Sequence, residues 1–479
     1  MSYLGIDLGT SSLKVIAVDD AQRVLAEHAV PLTVSRPHAG WSEQDPATWV
    51  AALDTAMRAL GEQTDLSGVR GIGLSGHMHG ATLLDKSDAV LTPCILWNDT
   101  RAAQEAAQMD ADPQFRALTG NIVFAGFTAP KLAWVKTHLP DIFDQTAKVL
   151  LPKDYLRLTL TGEHVAEMSD AAGTAWLDVA RRDWSDDLLA ATGLDRSHMP
   201  RLVEGSDASG TLRDTLADEW GLPKGVIVAG GGGDNAASAI GAGVVAKGDA
   251  FVSLGTSGVL FAASDAYQPD PATAVHTFCH ALPDTWHQMG VILAATDALE
   301  WLCRLSGQTA EALTRDLGQL SAPDRTLFLP YLGGERTPHN NTAMRGQFLH
   351  LDHSTDARAA ARAVLEGVAF AFADCQAALQ ATGTQITRAV ALGGGAKSDY
   401  WLQVIATTLN IPLMRPAGGD FGAALGAARL AIMATTGAGR DVASLPPIAE
   451  TIDPDTSLAS AFTDAHARYR AAYHALKDL

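Results

Sequence analysis

The tetrapeptide Leu8-Gly9-Thr10-Ser11 recurs as Leu254-Gly255-Thr256-Ser257, about half a chain length later. Each copy interrupts an apolar run that resumes at once. Tyr3 to Asp7 leads into Leu13 to Val18, and Ala250 to Ser253 leads into Val259 to Ala262. The pattern predicts strand, small polar turn, strand, built twice. A second pair of segments repeats as well: Gly232-Gly233-Asp234-Asn235-Ala236-Ala237 and Gly418-Gly419-Asp420-Phe421-Gly422-Ala423 each precede an Ala/Gly-rich helical pattern. Turns of Gly, Thr and Ser expose converging backbone N–H groups, which hold phosphate. Such a turn in both halves reads as a two-lobed phosphate clamp.

Composition narrows what the clamp can hold. A chain of 479 residues allows two or three domains with ample core. A net charge of −19 excludes a general basic surface for nucleic acid or anionic lipid. A bound anion must then be held locally, by backbone amides, a few lysines and a divalent cation. Cys94, Cys279, Cys303 and Cys375 form no CxxC pair and read as reduced thiols of a cytosolic chain. Neither a signal peptide nor a membrane span is expected, since Asp7 breaks the first apolar run and no window nears 18 apolar residues. A cytoplasmic location is the expectation.

Along the chain, residues 1–20 predict a β-hairpin continued by Arg23 to Leu32, and Asp45-Pro46 opens a helix. Val69 to Leu74 and Val226 to Ala229 read as buried strands, and residues 163–225 as insertions between core elements. A helix is expected over Ala236 to Val245. A long one is expected over Ser354 to Leu379, capped by Ser354 or Thr355, and an amphipathic one over the last 20 residues. Alternating strands and helices argue α/β, with the second half beginning near residue 245. The domains are therefore set at 1–244 and 245–479.

The chemistry-bearing residues follow from this layout. Asp7 ends the first strand beside the phosphate turn, where a carboxylate repels phosphate unless a metal intervenes; Mg²⁺, held directly or through water, is the natural partner. Lys14 stands three residues beyond Ser11, either as a positive charge near the phosphates or as an exposed strand lysine. Asp234 follows four glycines and reads both as a helix N-cap and as an exposed carboxylate base for a substrate hydroxyl. The helix terminus is expected to lower its pKa. Gly393-Gly394-Gly395-Ala396-Lys397-Ser398 fails as a P-loop because Ala396 stands where Gly is required, but it leaves room for a base or ribose. Gly71-Ile72-Gly73-Leu74-Ser75-Gly76 has the Rossmann spacing, yet its glycines lie within a strand, so that reading is rejected. His77-Met78-His79 reads as the lining of a polar small-molecule pocket. The group His276, Cys279, His280 and His287 has no established zinc spacing. Trp41, Trp97-Asn98-Asp99 and Arg336 are open between substrate contacts and buried structural roles.

Gly126-Phe127-Thr128-Ala129-Pro130-Lys131-Leu132-Ala133-Trp134-Val135-Lys136-Thr137-His138 resembles a signature of the FGGY carbohydrate kinases. The resemblance spans nearly the whole chain, from Asp7-Leu8-Gly9-Thr10-Ser11 through Trp41-Ser42-Glu43-Gln44-Asp45-Pro46 to Gly422-Ala423-Ala424-Leu425-Gly426-Ala427. Within the family, four segments are similar to the xylulokinase branch. They are Gly76-His77-Met78-His79-Gly80, Leu151-Pro152-Lys153-Asp154-Tyr155-Leu156, Ser169-Asp170-Ala171-Ala172-Gly173-Thr174 and Gly334-Glu335-Arg336-Thr337-Pro338-His339-Asn340-Asn341. One departure is His350, where the family's second signature usually has Gly.

The resemblance implies two actin-like ATPase domains, each with a ribonuclease-H-like α/β core, closing over an interdomain cleft. It implies ATP-dependent phosphorylation of the D-xylulose 5-hydroxyl. Asp234 matches the catalytic base, Asp7 the Mg²⁺-linked carboxylate, and Met78 and His79 the sugar-contacting pair; Trp97 and Asn235 are placed on the substrate side with them. Thr10, Ser11 and Lys14, with Gly255, Thr256 and Ser257, fall on the phosphate side, and Gly394, Gly395 and Lys397 on the adenosine side. Other readings are a kinase for D-ribulose, L-xylulose or 1-deoxy-D-xylulose, or a non-sugar ATPase switch of the actin and Hsp70 class. Family members are often dimers, so a homodimer is the assembly suggested by analogy.

Overall fold

The computed structural model describes residues 1–418 and 422–478. Gly419, Asp420 and Phe421, in the second of the repeated Gly-Gly-Asp segments, lie outside the described residues. The first half opens with β1 (Ser2–Leu8), β2 (Ser12–Asp19) and β3 (Val24–Pro31), an antiparallel meander. Helix α1 (Pro46–Gln63) is capped by the Asp45 carboxylate, which accepts from the Ala47 N–H at 3.0 Å, as the Asp-Pro start predicted. It buries Trp49, Leu53, Met57 and Leu60 and leads to β4 (Val69–Gly76), parallel to β1. The strand β5 (Ile227–Ala229) adds to β4 in parallel, giving the core order β3-β2-β1-β4-β5.

Helix α2 (Asp234–Ala242) then crosses to the second half. There β6 (Ala250–Leu254), β7 (Gly258–Ser264) and β8 (Trp286–Ile292) form another antiparallel meander. The long helix α3 (Ala357–Ala381) leads to β9 (Ala389–Leu392) and β10 (Leu413–Pro416), both added in parallel to β6. The order β8-β7-β6-β9-β10 repeats the first sheet strand for strand, with the same parallel and antiparallel senses. This is the ribonuclease-H-like core twice over, and the repeated Leu-Gly-Thr-Ser is the hairpin turn after the central strand of each copy.

The insertion expected at 163–225 combines short helices, among them Asp186–Thr192 and Asp214–Trp220, with two short strand pairs, Val165–Glu167 with Arg201–Val203 and Leu177–Asp178 with Asp183–Trp184. Helix α4 (Ala423–Thr436) belongs to the second half by sequence but packs on β1, β4 and α2 of the first. Gly426 makes that possible: a Cβ there would overlap the Ala237 carbonyl. The C-terminal helix α5 (Ala459–Leu476) turns Phe462, Ala465, Tyr469 and Tyr473 inward against its own half. The halves are also pinned at Asn121, whose side-chain amide exchanges two hydrogen bonds with the Thr277 backbone, at 2.9 and 3.0 Å.

Two helix starts differ from expectation. α3 begins at Ala357 because the Asp356 carboxylate accepts from the Ala359 N–H at 2.9 Å; Ser354 and Thr355 are instead tied to Asp352. α2 runs from Asp234 to Ala242 rather than from Ala236 to Val245, so Asp234 is its first residue and Gly233 the cap. A left-handed Gly243 ends it. His350 is exposed with φ 58°, a conformation for which Gly is the easier residue, and it lies in a surface turn.

Candidate active site

Four glycines bring the chain from β5 to Asp234. Gly231 has φ 79° and faces the Leu74 carbonyl so closely that any side chain would overlap it. Gly233 packs on Met78, with space for a Cβ only 3.0 Å from the Met78 sulfur. This places Asp234, the candidate base, one residue from the contact with Met78. The loop is braced from behind by Arg157, fully buried, which donates to the Ala229 and Gly230 carbonyls at 2.6 Å each.

Asp234 is half-buried rather than exposed. Its Oδ1 accepts from the Asn235 backbone N–H at 2.7 Å and from Asn235 Nδ2 at 3.1 Å. Loss of solvent outweighs these two bonds and pushes its pKa up to about 6. The lowering expected from the helix terminus is therefore overturned. The carboxylate remains mostly ionised at neutral pH and is a stronger proton acceptor for the shift.

Met78 is buried, and His79 sits at φ 70° with its Nδ1 2.7 Å from the Gly173 carbonyl. The His79 ring stacks on Phe127 at 4.7 Å. Its carbonyl accepts from Lys131 Nζ at 2.8 Å and from Thr128 Oγ1 at 3.2 Å. Burial and the nearby lysine hold the imidazole neutral, with its pKa lowered to about 3, so it offers hydrogen bonds rather than charge. His77 turns away into the core against Trp49 and does not line a pocket with its neighbours; its backbone N–H instead donates to the Leu8 carbonyl at 2.9 Å. That bond sets the Met78-His79 turn beside the Gly9-Thr10-Ser11 turn.

In that turn, Trp97 Nε1 donates to Thr10 Oγ1 at 3.0 Å, and buried Gln44 donates to the Thr10 carbonyl at 2.8 Å. Ser11 is exposed. Asp7 and Lys14 face each other across β1 and β2, and Lys14 Nζ also lies 3.1 Å from Glu27. A single strand-end carboxylate flanked by Thr and Ser hydroxyls is a donor set that suits Mg²⁺, which takes one or two carboxylates and completes its shell with water and phosphate. The residues present thus fit the ion.

The second turn differs. Ser253 stands where Asp7 does in the first copy, and Thr256 and Ser257 are exposed. The Gly255 carbonyl accepts from the Thr296 backbone N–H and hydroxyl, both at 2.9 Å. Gly395 packs over Leu254, and Gly394 is open to solvent space. Lys397, Gly393 and Arg415 line a cavity of about 500 Å³ at the carboxyl ends of β6, β9 and β10. Ligands of open α/β sheets bind at that end of the strands, and the volume suits a nucleotide. Asn235 and Ser238 of α2 form its opposite wall. The dipeptide Asp234-Asn235 therefore stands between the Gly233–Met78 contact and the cavity.

Gln44, Phe127, Lys131 and Arg157 went unassigned in the sequence reading. The first three lie inside quoted motifs, and that was the available signal; Arg157 had none. Arg336 reaches the same region from the second half, with its guanidinium 4.7 Å above Phe124 and 3.4 Å from His276 Nε2. His280 and His287 are buried in an aromatic group with Phe261.

The chain matches the sequence profiles of the FGGY family of carbohydrate kinases, N-terminal domain over residues 2–241 and C-terminal domain over 250–435. It is similar to the xylulose kinase of Escherichia coli, at 49% identity over 100% of this chain and 99% of that protein. The xylulose kinase of Klebsiella pneumoniae is 52% identical over 90% of each. The crystal structure of a xylulose kinase from Rhodospirillum rubrum superposes with a TM-score of 0.93 at 31% identity, covering 99% of both chains. The duplicated sheet, the repeated Leu-Gly-Thr-Ser turns and these matches agree: the chain belongs to the FGGY family of carbohydrate kinases.

Proposed function

We propose that the protein transfers the γ-phosphoryl group of ATP to the 5-hydroxyl of D-xylulose, giving D-xylulose 5-phosphate and ADP. The observation that carries this reading is the place of Asp234. It adjoins Met78 through Gly233 on one side and the nucleotide-sized cavity through Asn235 on the other. The names of the E. coli and K. pneumoniae relatives supply the sugar.

The mechanism follows from the residues. D-xylulose lies against Met78, His79 and Trp97, and the nucleotide lies in the cavity with Lys397, Gly394 and Gly395 on its adenosine side. The amides of the turns at Thr10-Ser11 and Gly255-Thr256-Ser257 face the phosphates, with Lys14 beside the first turn. Asp234 accepts the proton of the 5-hydroxyl as its oxygen attacks the γ-phosphorus in line, and the bond to the ADP oxygen breaks. Asp7 would hold Mg²⁺, which neutralises charge on the transferring phosphoryl group. We place the boundary between the domains at 244/245, with α4 reaching back onto the first sheet, and the enzyme in the cytoplasm as a homodimer.

The test is ADP release with D-xylulose, D-ribulose, L-xylulose and 1-deoxy-D-xylulose supplied separately. Turnover highest with D-xylulose is expected. Preference for another ketose would reassign the substrate, and slow release independent of sugar would identify an ATPase switch.

A further inference from the structure

One buried segment of the insertion touches both Gly233, the residue before the base, and the Met78-His79 pair. Glu167, fully buried, accepts from the Ser169 and Asp170 backbone N–H groups at 2.7 and 2.9 Å and is held by Lys153 at 3.3 Å. The Ser169 hydroxyl donates to the Glu167 carboxylate at 2.8 Å, which leaves its lone pairs facing away from Glu167. There it accepts from the Gly233 N–H at 3.0 Å. Four residues further on, the Gly173 carbonyl meets His79 Nδ1 at 2.7 Å, and Gly173 packs against the Met78 methyl. The chain thus fixes the start of α2 and the orientation of His79 from one short element, backed by a buried ion cluster.

We infer that Ser169 is a positioning residue, which sets the Asp234 carboxylate against the sugar hydroxyl by holding the Gly233 N–H. The inference rests on Asp234 as the base. The geometry accounts for its sensitivity: Gly233 is the N-cap of α2, so a shift of its N–H tilts the first helical residue, which is Asp234. Because a misplaced group of about 1 Å can cost about 10²-fold, the effect falls on turnover rather than on sugar affinity.

The experiment compares Ser169→Ala with Thr192→Val, a buried hydroxyl of the same half that accepts from Trp176 Nε1 at 3.0 Å away from the site. Both lose a buried hydrogen bond, so both lower Tm. Ser169→Ala is expected to lose about 10- to 100-fold in kcat, with KM for D-xylulose within threefold. Thr192→Val should keep wild-type kinetics. Ser169→Cys, which retains a weak acceptor of similar size, should fall between wild type and Ser169→Ala, and it serves as the reading if Ser169→Ala does not fold. A kcat within threefold of wild type in Ser169→Ala overturns the inference, as does an equal loss in Thr192→Val; if Ser169→Ala does not fold, a kcat of Ser169→Cys equal to wild type overturns it. Wild-type turnover of D-xylulose, measured alongside, tests the functional reading separately.

Discussion

Gly426 and Ala237 lie so close that a single added methyl on Gly426 would overlap the Ala237 carbonyl oxygen. Helix α4, late in the chain, is thereby pressed onto the helix that begins with Asp234. The contact ties the helix that carries Asp234 to the far half of the sequence.

Gly426→Ala should separate the two helices and destabilise the protein by about 1–3 kcal/mol. Urea unfolding checks it, and loss of activity should accompany the loss of Tm because α2 carries Asp234. An unchanged midpoint would mean that the helices have room to spare.

The pH profile should show an acid limb near 6. Asp234 acts as carboxylate, and its pKa stands at about 6 through burial, so kcat/KM should fall about tenfold per unit below that pH. Asn235→Ala removes a hydrogen bond that favours the ionised form, and the limb should move to higher pH. A limb near 4 would place the carboxylate in open water.

Trp97→Phe removes the hydrogen bond to Thr10 while keeping an aromatic face. A loss of about threefold to tenfold in kcat/KM is expected for one hydrogen bond. An unaltered value would leave Trp97 without a part in ordering the first phosphate turn.

Lys153 is the fully buried counter-charge to Asp154, Glu167 and Asp170, at 2.7, 3.3 and 3.1 Å. Lys153→Met should cost about 3–5 kcal/mol at neutral pH by stranding buried carboxylates. Burial already holds the Asp170 carboxyl well above the usual carboxylate range against the pull of Lys153, and removing the lysine raises it further. The added instability should therefore be smaller in acid, where the stranded carboxyl is protonated, and larger as pH rises. Denaturation at pH 7.5 and 5 compares the two conditions.

The hairpins and their turns were legible because small polar residues between apolar runs act locally. The Asp45 cap and the inward face of α1 follow from the same local rules. What local rules did not reach is non-local packing. Nothing near Gly426 announces that its partner is Ala237, and the pressure of α4 on the first sheet appears only in three dimensions. The Asp234 pKa was misjudged for the same reason. A helix terminus is visible in sequence, whereas the burial that outweighs it arises from the tertiary fold. His77 shows the limit within one motif: of three adjacent residues, the first packs on Trp49, while Met78 meets Gly233 and His79 meets Gly173.

The central claim is tested most directly by Asp234→Asn, measured for D-xylulose-dependent ADP release. The substitution keeps the shape and removes a carboxylate that burial disfavours, so Tm at pH 7.5 should not fall. The account predicts a loss of at least about 10²-fold in kcat with the fold intact. A kcat within about threefold of wild type would contradict it.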